Sequence, residues 1–162
     1  MSDELWAVAR VDVADAVSQV LLREYFTEIV GRWYGRAVSA GEVSAAMAEG
    51  PSDDLCPPTG LFLVGRYRGR VAGCVGLRWC DGYAELTRLF VRSGVRGCGG
   101  GAALLAEAAR CARWTGFDRI RLDTRDDLVE ARALYARHGF RPIPAYSPGP
   151  YAQHWFEKVL AG

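Results

Sequence analysis

"LFVRSGVRGCGGGAALLAEA" spans Leu89 to Ala108 and crowds its glycines directly ahead of an alanine- and leucine-rich run. Glycine lets the backbone turn freely and approach a ligand with no Cβ in the way, whereas alanine and leucine favour helix. The stretch reads as a loop entering a helix N-terminus, where several N–H groups lack intrahelical acceptors and the peptide dipoles leave partial positive charge. Such an end holds an anion. In Arg96-Gly97-Cys98-Gly99-Gly100-Gly101-Ala102 the arginine adds a fixed charge and a donor fork. A diphosphate suits the loop.

Upstream, "LFLVGRY", "RVAGCVGLRW" and "YAELTRLFV" are separated by the turn signals Arg68-Gly69 and Asp81-Gly82, which predicts three strands in an antiparallel meander. Ahead of them, "LWAVARV" is a short first strand. Val13, Val17, Val20, Leu21, Ile29 and Trp33 recur at helical spacing, and Ser39 to Glu42 has capping-box spacing for a second helix that stops at Gly50-Pro51. Downstream come a helix closing on Gly116, a strand "RIRLDT", a helix "DLVEARALYARHG" with Gly139 as its cap, then "FRPI", the loop "PAYSPGPY" and a last strand "HWFEKVL". The expected architecture is α/β: a mixed central sheet of about six to seven strands flanked by about four helices.

The length of 162 residues predicts one domain over 1–162. Twenty basic against 19 acidic residues leave a formal charge of +1, so no long-range field draws the chain to nucleic acid or an anionic membrane. The five cysteines show no C-x-x-C spacing and no zinc-finger pattern, which predicts reduced thiols, no metal and a cytoplasmic location. "MSDELWAVARVD" lacks the basic and apolar regions of a leader, and no apolar run reaches the ~20 residues of a membrane span.

Three nucleotide readings compete for the glycine loop. A P-loop needs Gly-Lys-Ser/Thr, and Gly101 is followed by Ala102-Ala103, so that reading fails. Gly97 to Ala102 does match the G-x-G-x-x-A of a dinucleotide site, with Asp123 ending the next strand. Against it, "RSGVR" intervenes between strand and glycines, and "YAELTRLFV" alternates where a central parallel strand would be continuously apolar. The third reading is coenzyme A.

"RGCGGG" fits the R/Q-x-x-G-x-G/A signature of the GNAT superfamily of acetyl-CoA-dependent N-acetyltransferases, and it follows a strand of the family's form. "ARALYARHGF" resembles the family's A-x-x-L-Y-x-x-x-GF segment, and "IPAYSPGPYAQHWFEKVL" is similar to the C-terminus of a bacterial small-molecule branch. The resemblance covers about Leu61 to Leu160 in the right order. It implies direct acetyl transfer from acetyl-CoA to a primary amine of a small molecule, an amino acid or related amine. A non-catalytic acyl-CoA-binding sensor and a protein or peptide N-acetyltransferase are the alternatives, and a homodimer is compatible with the family.

The resemblance also assigns residues. Arg96, Gly97, Cys98, Gly99, Gly100, Gly101 and Ala102 would hold the pyrophosphate, and pantetheine would pair with the main chain of Leu89, Phe90 and Val91 as an added strand. An alkylammonium has a pKa of about 10, so a base or a water relay must take its proton before attack, and Glu85 is the candidate base. Tyr135 occupies the position of the family's general acid, protonating the departing thiolate. Where the family often carries an asparagine seven residues before that tyrosine, this sequence has Leu128. Glu28, Arg32, Tyr146 and His154 are acceptor-binding candidates by location, and Glu28 with Arg32 hints at a zwitterion. Cys98 reads as an incidental thiol, Asp53-Asp54 as loop solvation, and Asp126-Asp127 as loop solvation and a helix N-cap.

Overall fold

The elements follow in the expected order: β1 (Trp6–Arg10), α1 (Ala16–Tyr34), α2 (Ala40–Glu49), β2 (Gly60–Tyr67), β3 (Arg70–Trp79), β4 (Ala84–Val91), a 3-10 turn (Ser93–Val95), α3 (Gly100–Thr115), β5 (Arg119–Thr124), α4 (Val129–Arg137), β6 (Arg141–Pro142) and β7 (His154–Val159). The computed structural model describes residues 5–161, so residues 1–4 and 162 of the expected domain lie outside the described residues. The seven strands form one sheet in the order β1-β2-β3-β4-β5-β7-β6. Only β4 and β5 run parallel; every other neighbouring pair is antiparallel.

Local chemistry sets the boundaries. Asp15 caps α1 by accepting from the Val17 N–H, and Ser39 and Glu42 form the expected reciprocal capping box of α2. Arg68 and Gly69, at φ 50° and 82°, make the tight turn between β2 and β3. Two expectations are corrected. Asp127 does not cap α4, whose N-cap is Leu128; its carboxylate is held by the Arg125 guanidinium at 2.9 and 2.8 Å. On α1 the buried face is Ser18, Leu21, Leu22 and Phe26; Val20 turns to solvent on the opposite face, and Trp33 is exposed because the C-terminal half of α1 overhangs a cleft instead of covering the sheet.

Both faces of the sheet are covered. Leu104, Leu105 and Ala108 of α3 pack on Leu63, Val75, Leu77, Ile120 and Leu122, and on the opposite face Leu21 and Leu22 of α1 join Leu55, Phe62, Val64, Cys74 and Phe90. Covering on both sides explains why β2 and the middle of β3 read as continuous apolar runs. Each leucine buried this fully contributes about 1.5 to 3 kcal/mol. No helix among the described residues is long and apolar enough to cross a membrane.

The sheet then splits. β4 and β5 pair only at Ala84↔Ile120 and Glu85↔Arg121, after which the strands part. β4 also carries a bulge, since its register against β3 shifts between Cys74 and Gly76 and Arg88 sits at φ 59°. A left-handed arginine costs about 1 to 2 kcal/mol. Its side chain offsets that by bonding Thr87 Oγ1 at 2.8 Å, the Gly50 carbonyl at 3.0 Å and Ser52 Oγ at 3.2 Å, over the ring of Phe26. The bulge is thereby tied to the end of α2.

Candidate active site

Where β4 and β5 part, a cleft of about 1080 Å³ opens. Leu86 to Val91 form one side, Asp123 to Arg125 with Leu134 and Tyr135 the other, and α1 roofs it with Tyr25, Ile29 and Trp33. A second groove of about 1150 Å³ runs between α1 and the β2–β3 turn and meets this one at Glu28, Phe90 and Arg96. The cleft alone combines an open strand edge with the N-terminus of α3.

That edge follows from the ladder. The Arg92 N–H donates to Ala72 of β3, so one residue back the N–H and carbonyl of Val91 point the other way, into the split, and at Leu89, inside the bulge, the ladder to β3 is interrupted. By the same alternation Phe90 turns its main chain to β3, so it cannot pair with pantetheine there; it offers its ring, which meets Tyr25 edge-on at 6.5 Å.

At the loop, Gly99 is the N-cap of α3 at φ 88° and has no side chain to cap with. The first intrahelical bond runs from the Ala103 N–H to the Gly99 carbonyl, leaving the N–H groups of Gly100, Gly101 and Ala102 for an outside acceptor. Gly97 and Gly99 both have positive φ, and a Cβ on either would meet nothing within 4 Å. Gly100 and Gly101 serve a different need. A Cβ on Gly100 would strike the Trp6 ring, and one on Gly101 would stand 2.6 Å from Leu134 Cδ2, so the helix start is wedged between two packed side chains. Trp6 also donates to the Cys98 carbonyl at 2.8 Å, while the Cys98 side chain is exposed and outside the cleft lining.

Arg96 spans the cleft mouth, its Nε on the Val91 carbonyl at 2.9 Å and its Nη2 on Glu28 of α1 at 2.5 Å. Open edge, free N–H groups and an arginine at the cleft mouth together fit a pantetheine diphosphate. Tyr135 is buried against Phe140 and Phe156 and faces the cleft. Burial, with smaller contributions from Tyr25 and Asp123, raises its phenol well above the ordinary value of 10.0. Leu128 lines the same wall with an apolar side chain.

Other expected residues are placed differently. Glu85 is not among the residues lining the cleft. It sits where β4 and β5 still pair, with Arg78 at 2.8 Å and the Tyr146 hydroxyl at 3.4 Å on its carboxylate, and Arg78 in turn holds Asp54 at 2.5 Å. Asp54 is thus an ion-pair partner rather than a solvated loop residue, and that bond pulls its carboxyl below the ordinary range. Tyr146 stacks edge-on with Tyr83 under Arg121, away from the cleft lining, and His154 pairs with Asp126 at 2.8 Å. Glu28 and Arg32 do line the cleft, but Glu28 holds Arg96 and Arg32 holds Glu130 at 3.0 Å, so the pair forms no zwitterion clamp. The sequence reading gave no acceptor role to Asp123, Trp33 or Tyr151, which all line the cleft. Alternation was the available signal for Asp123: Leu122 is core, so its neighbour faces away.

The dinucleotide alternative needs the glycines after a central parallel strand. Here they follow β4, antiparallel to β3, with a 3-10 turn between. Residues 23–140 match the model of the Acetyltransferase (GNAT) family. A Schizosaccharomyces pombe protein named as an uncharacterized N-acetyltransferase is 31% identical over 135 residues, covering 82% of this chain and 79% of its own. An IAA acetyltransferase of Azospirillum brasilense is 35% identical over 111 residues, 65% of this chain and 72% of its own. Among solved structures, the PaiA N-acetyltransferase of Thermoplasma acidophilum in complex with coenzyme A superposes with a TM-score of 0.74 at 20% identity, covering 98% of this chain and 99% of that one. A GNAT-family acetyltransferase of Staphylococcus aureus gives 0.75 at 18% identity, over 96% and 99%. Split sheet, bulged strand, glycine-capped helix and matched family model agree: this chain belongs to the GNAT family of acetyltransferases.

Proposed function

We propose that the enzyme moves the acetyl group of acetyl-CoA directly to the primary amine of a small molecule. The observation that carries this is the open main-chain edge of β4 ending at the uncapped N-terminus of α3, which suits an extended pantetheine leading to a diphosphate. Acetyl-CoA supplies the activated thioester. Leu89 and Val91 pair along the pantetheine, the N–H groups of Gly100, Gly101 and Ala102 take the diphosphate, and Arg96 leaves Glu28 to join it.

An N–C bond forms as the C–S bond breaks; the ammonium gives up one proton before attack and the amide nitrogen another, and one proton ends on the CoA sulfur. The Leu89 N–H, where the ladder to β3 is interrupted, stabilises charge on the thioester oxygen. Tyr135 stays protonated at any working pH and therefore acts as a hydrogen-bond donor to the departing thiolate. Because Arg78 already neutralises Glu85, the ammonium proton leaves by water and Glu85 fixes Tyr146.

The test is thiol release from acetyl-CoA in the presence of amines, beside a thermal-shift titration with acetyl-CoA and NADH. Amine-dependent release with stabilisation by acetyl-CoA alone is expected. Stabilisation without release from any amine would point to a sensor, and stabilisation by NADH to the dinucleotide site.

A further inference from the structure

Most charges of the cleft are already engaged: Arg88 gives its donors to Ser52, Thr87 and Gly50, while Arg137 is exposed and has no acidic partner among the described residues. Glu28, Glu42 and Glu130 each hold an arginine, and Arg125 is gripped by Asp127. Glu49 is the exposed last residue of α2. Asp123 differs: it lines the cleft at the open end of β5 and, among the described residues, has no cationic partner.

Its carboxylate is nonetheless held in place. Trp155 Nε1 donates to Ser147 Oγ at 2.9 Å, which leaves the Ser147 hydroxyl to donate to Asp123 Oδ2 at 3.0 Å. One oxygen is so oriented and the other is open to the cleft. The charge also reaches the reacting region, since Asp123 is felt at both Tyr25 and Tyr135. Two residues further along, the Trp33 ring lies over the Arg125 guanidinium at 5.2 Å and meets Tyr151 edge-on at 5.0 Å. Trp33 is 41% and Tyr151 46% exposed, an unusual outlay of aromatic surface on a cleft wall.

Resting on the acetyltransferase reading above, we infer that Asp123 anchors the acceptor's ammonium, and that the acceptor is a primary amine on an aromatic body packed against Trp33 and Tyr151, with no carboxylate of its own. An amino acid would bring a carboxylate toward Asp123 and find Arg125 held by Asp127, Arg32 by Glu130 and Arg88 by Ser52, Thr87 and Gly50. A polyamine would find Asp123 inside the cleft and only the exposed Glu49 besides, with aromatic walls for its other charges.

Phenethylamine, phenylalanine and spermidine are compared as acceptors with wild-type, Asp123→Asn and Ser147→Ala enzyme. Phenethylamine is expected to be the best by about tenfold or more in kcat/KM. Asp123→Asn should raise its KM by about tenfold to a hundredfold, leaving the KM of acetyl-CoA unchanged. Ser147→Ala, which loosens the loop but keeps the carboxylate, should cost far less. Phenylalanine or spermidine matching phenethylamine, an unchanged amine KM in Asp123→Asn, or an equal loss in Ser147→Ala overturns the assignment. Absence of turnover with every amine would count against the transferase reading itself. Calorimetric titration of phenethylamine then judges the anchor independently: binding to wild type and not to Asp123→Asn upholds it, and no binding or equal binding overturns it.

Discussion

The two sides of the cleft are made of different material. The side we propose for the coenzyme is main chain: the edge of β4, the N–H groups of α3 and glycines that keep Cβ atoms out of the way. The side we propose for the acceptor is side chain: Asp123, Trp33, Tyr25 and Tyr151, drawn from β5, α1 and the loop before β7. A main-chain site depends on local sequence and recognises a constant ligand; a side-chain site assembles from distant segments and is free to vary. The same fold can therefore keep one donor while changing its acceptor.

The sharpest way to break this contrast is Gly99→Val. It puts a β-branched residue at φ 88° and a side chain into open space before α3. Acetyl-CoA affinity should fall by about a hundredfold or more, from backbone strain and a blocked anion site together. Isothermal titration reads it, and near-normal affinity would remove the loop from the coenzyme site. Arg96→Ala comes next, with a loss of about 1.5 to 3 kcal/mol in acetyl-CoA binding. Its counterpart Glu28→Gln should change that affinity by less than about threefold, because a half-exposed ion pair is worth under about 1 kcal/mol.

Tyr135→Phe tests the junction of the two sides. It should lower kcat by about tenfold while leaving acetyl-CoA affinity alone, and an equal effect on both would reduce the tyrosine to packing. Glu85→Gln should have the smaller kinetic effect, since its carboxylate holds Arg78 and Tyr146 outside the cleft lining. A loss larger than that of Tyr135→Phe would restore it as the base.

Buried and half-buried groups inside and outside the cleft also predict a pH dependence of stability. Burial raises the Cys74 thiol and the Tyr25, Tyr135 and Tyr146 phenols above their ordinary values of 9.0 and 10.0. The folded protein keeps protons that the unfolded chain releases, so this stability is fully present below about pH 9 and is lost as the pH rises through the folded values. Urea melts at about pH 8 and about pH 10.5 should show the decline, shallower in Tyr135→Phe. A flat profile would mean that the four groups are as well solvated in the folded protein as in the unfolded chain.

Contiguous signals were legible in the sequence: the glycine-rich loop ahead of α3, the turn at Arg68-Gly69, the capping box at Ser39. The bulge was not, since Arg88 adopts a positive φ only by virtue of anchors at Gly50 and Ser52 that lie far away in the chain. Nor were the charge pairings. Glu28 and Arg32 stand one helical turn apart and look like partners, yet each reaches across to a residue that only the fold brings near. Glu85 misled for the same reason: Arg78 faces it across β3 and β4, and its other partner, Tyr146, comes from the β6–β7 loop.

The most direct test of acetyl transfer follows the acetyl group itself. With acetyl-CoA labelled in the acetyl carbons, the enzyme and phenethylamine, mass spectrometry should find the label in the amide and one free CoA per amide formed. Label that stays on CoA with phenethylamine, phenylalanine and spermidine alike, on a protein that acetyl-CoA nonetheless stabilises, would contradict the account and point to a coenzyme-binding protein without transferase activity.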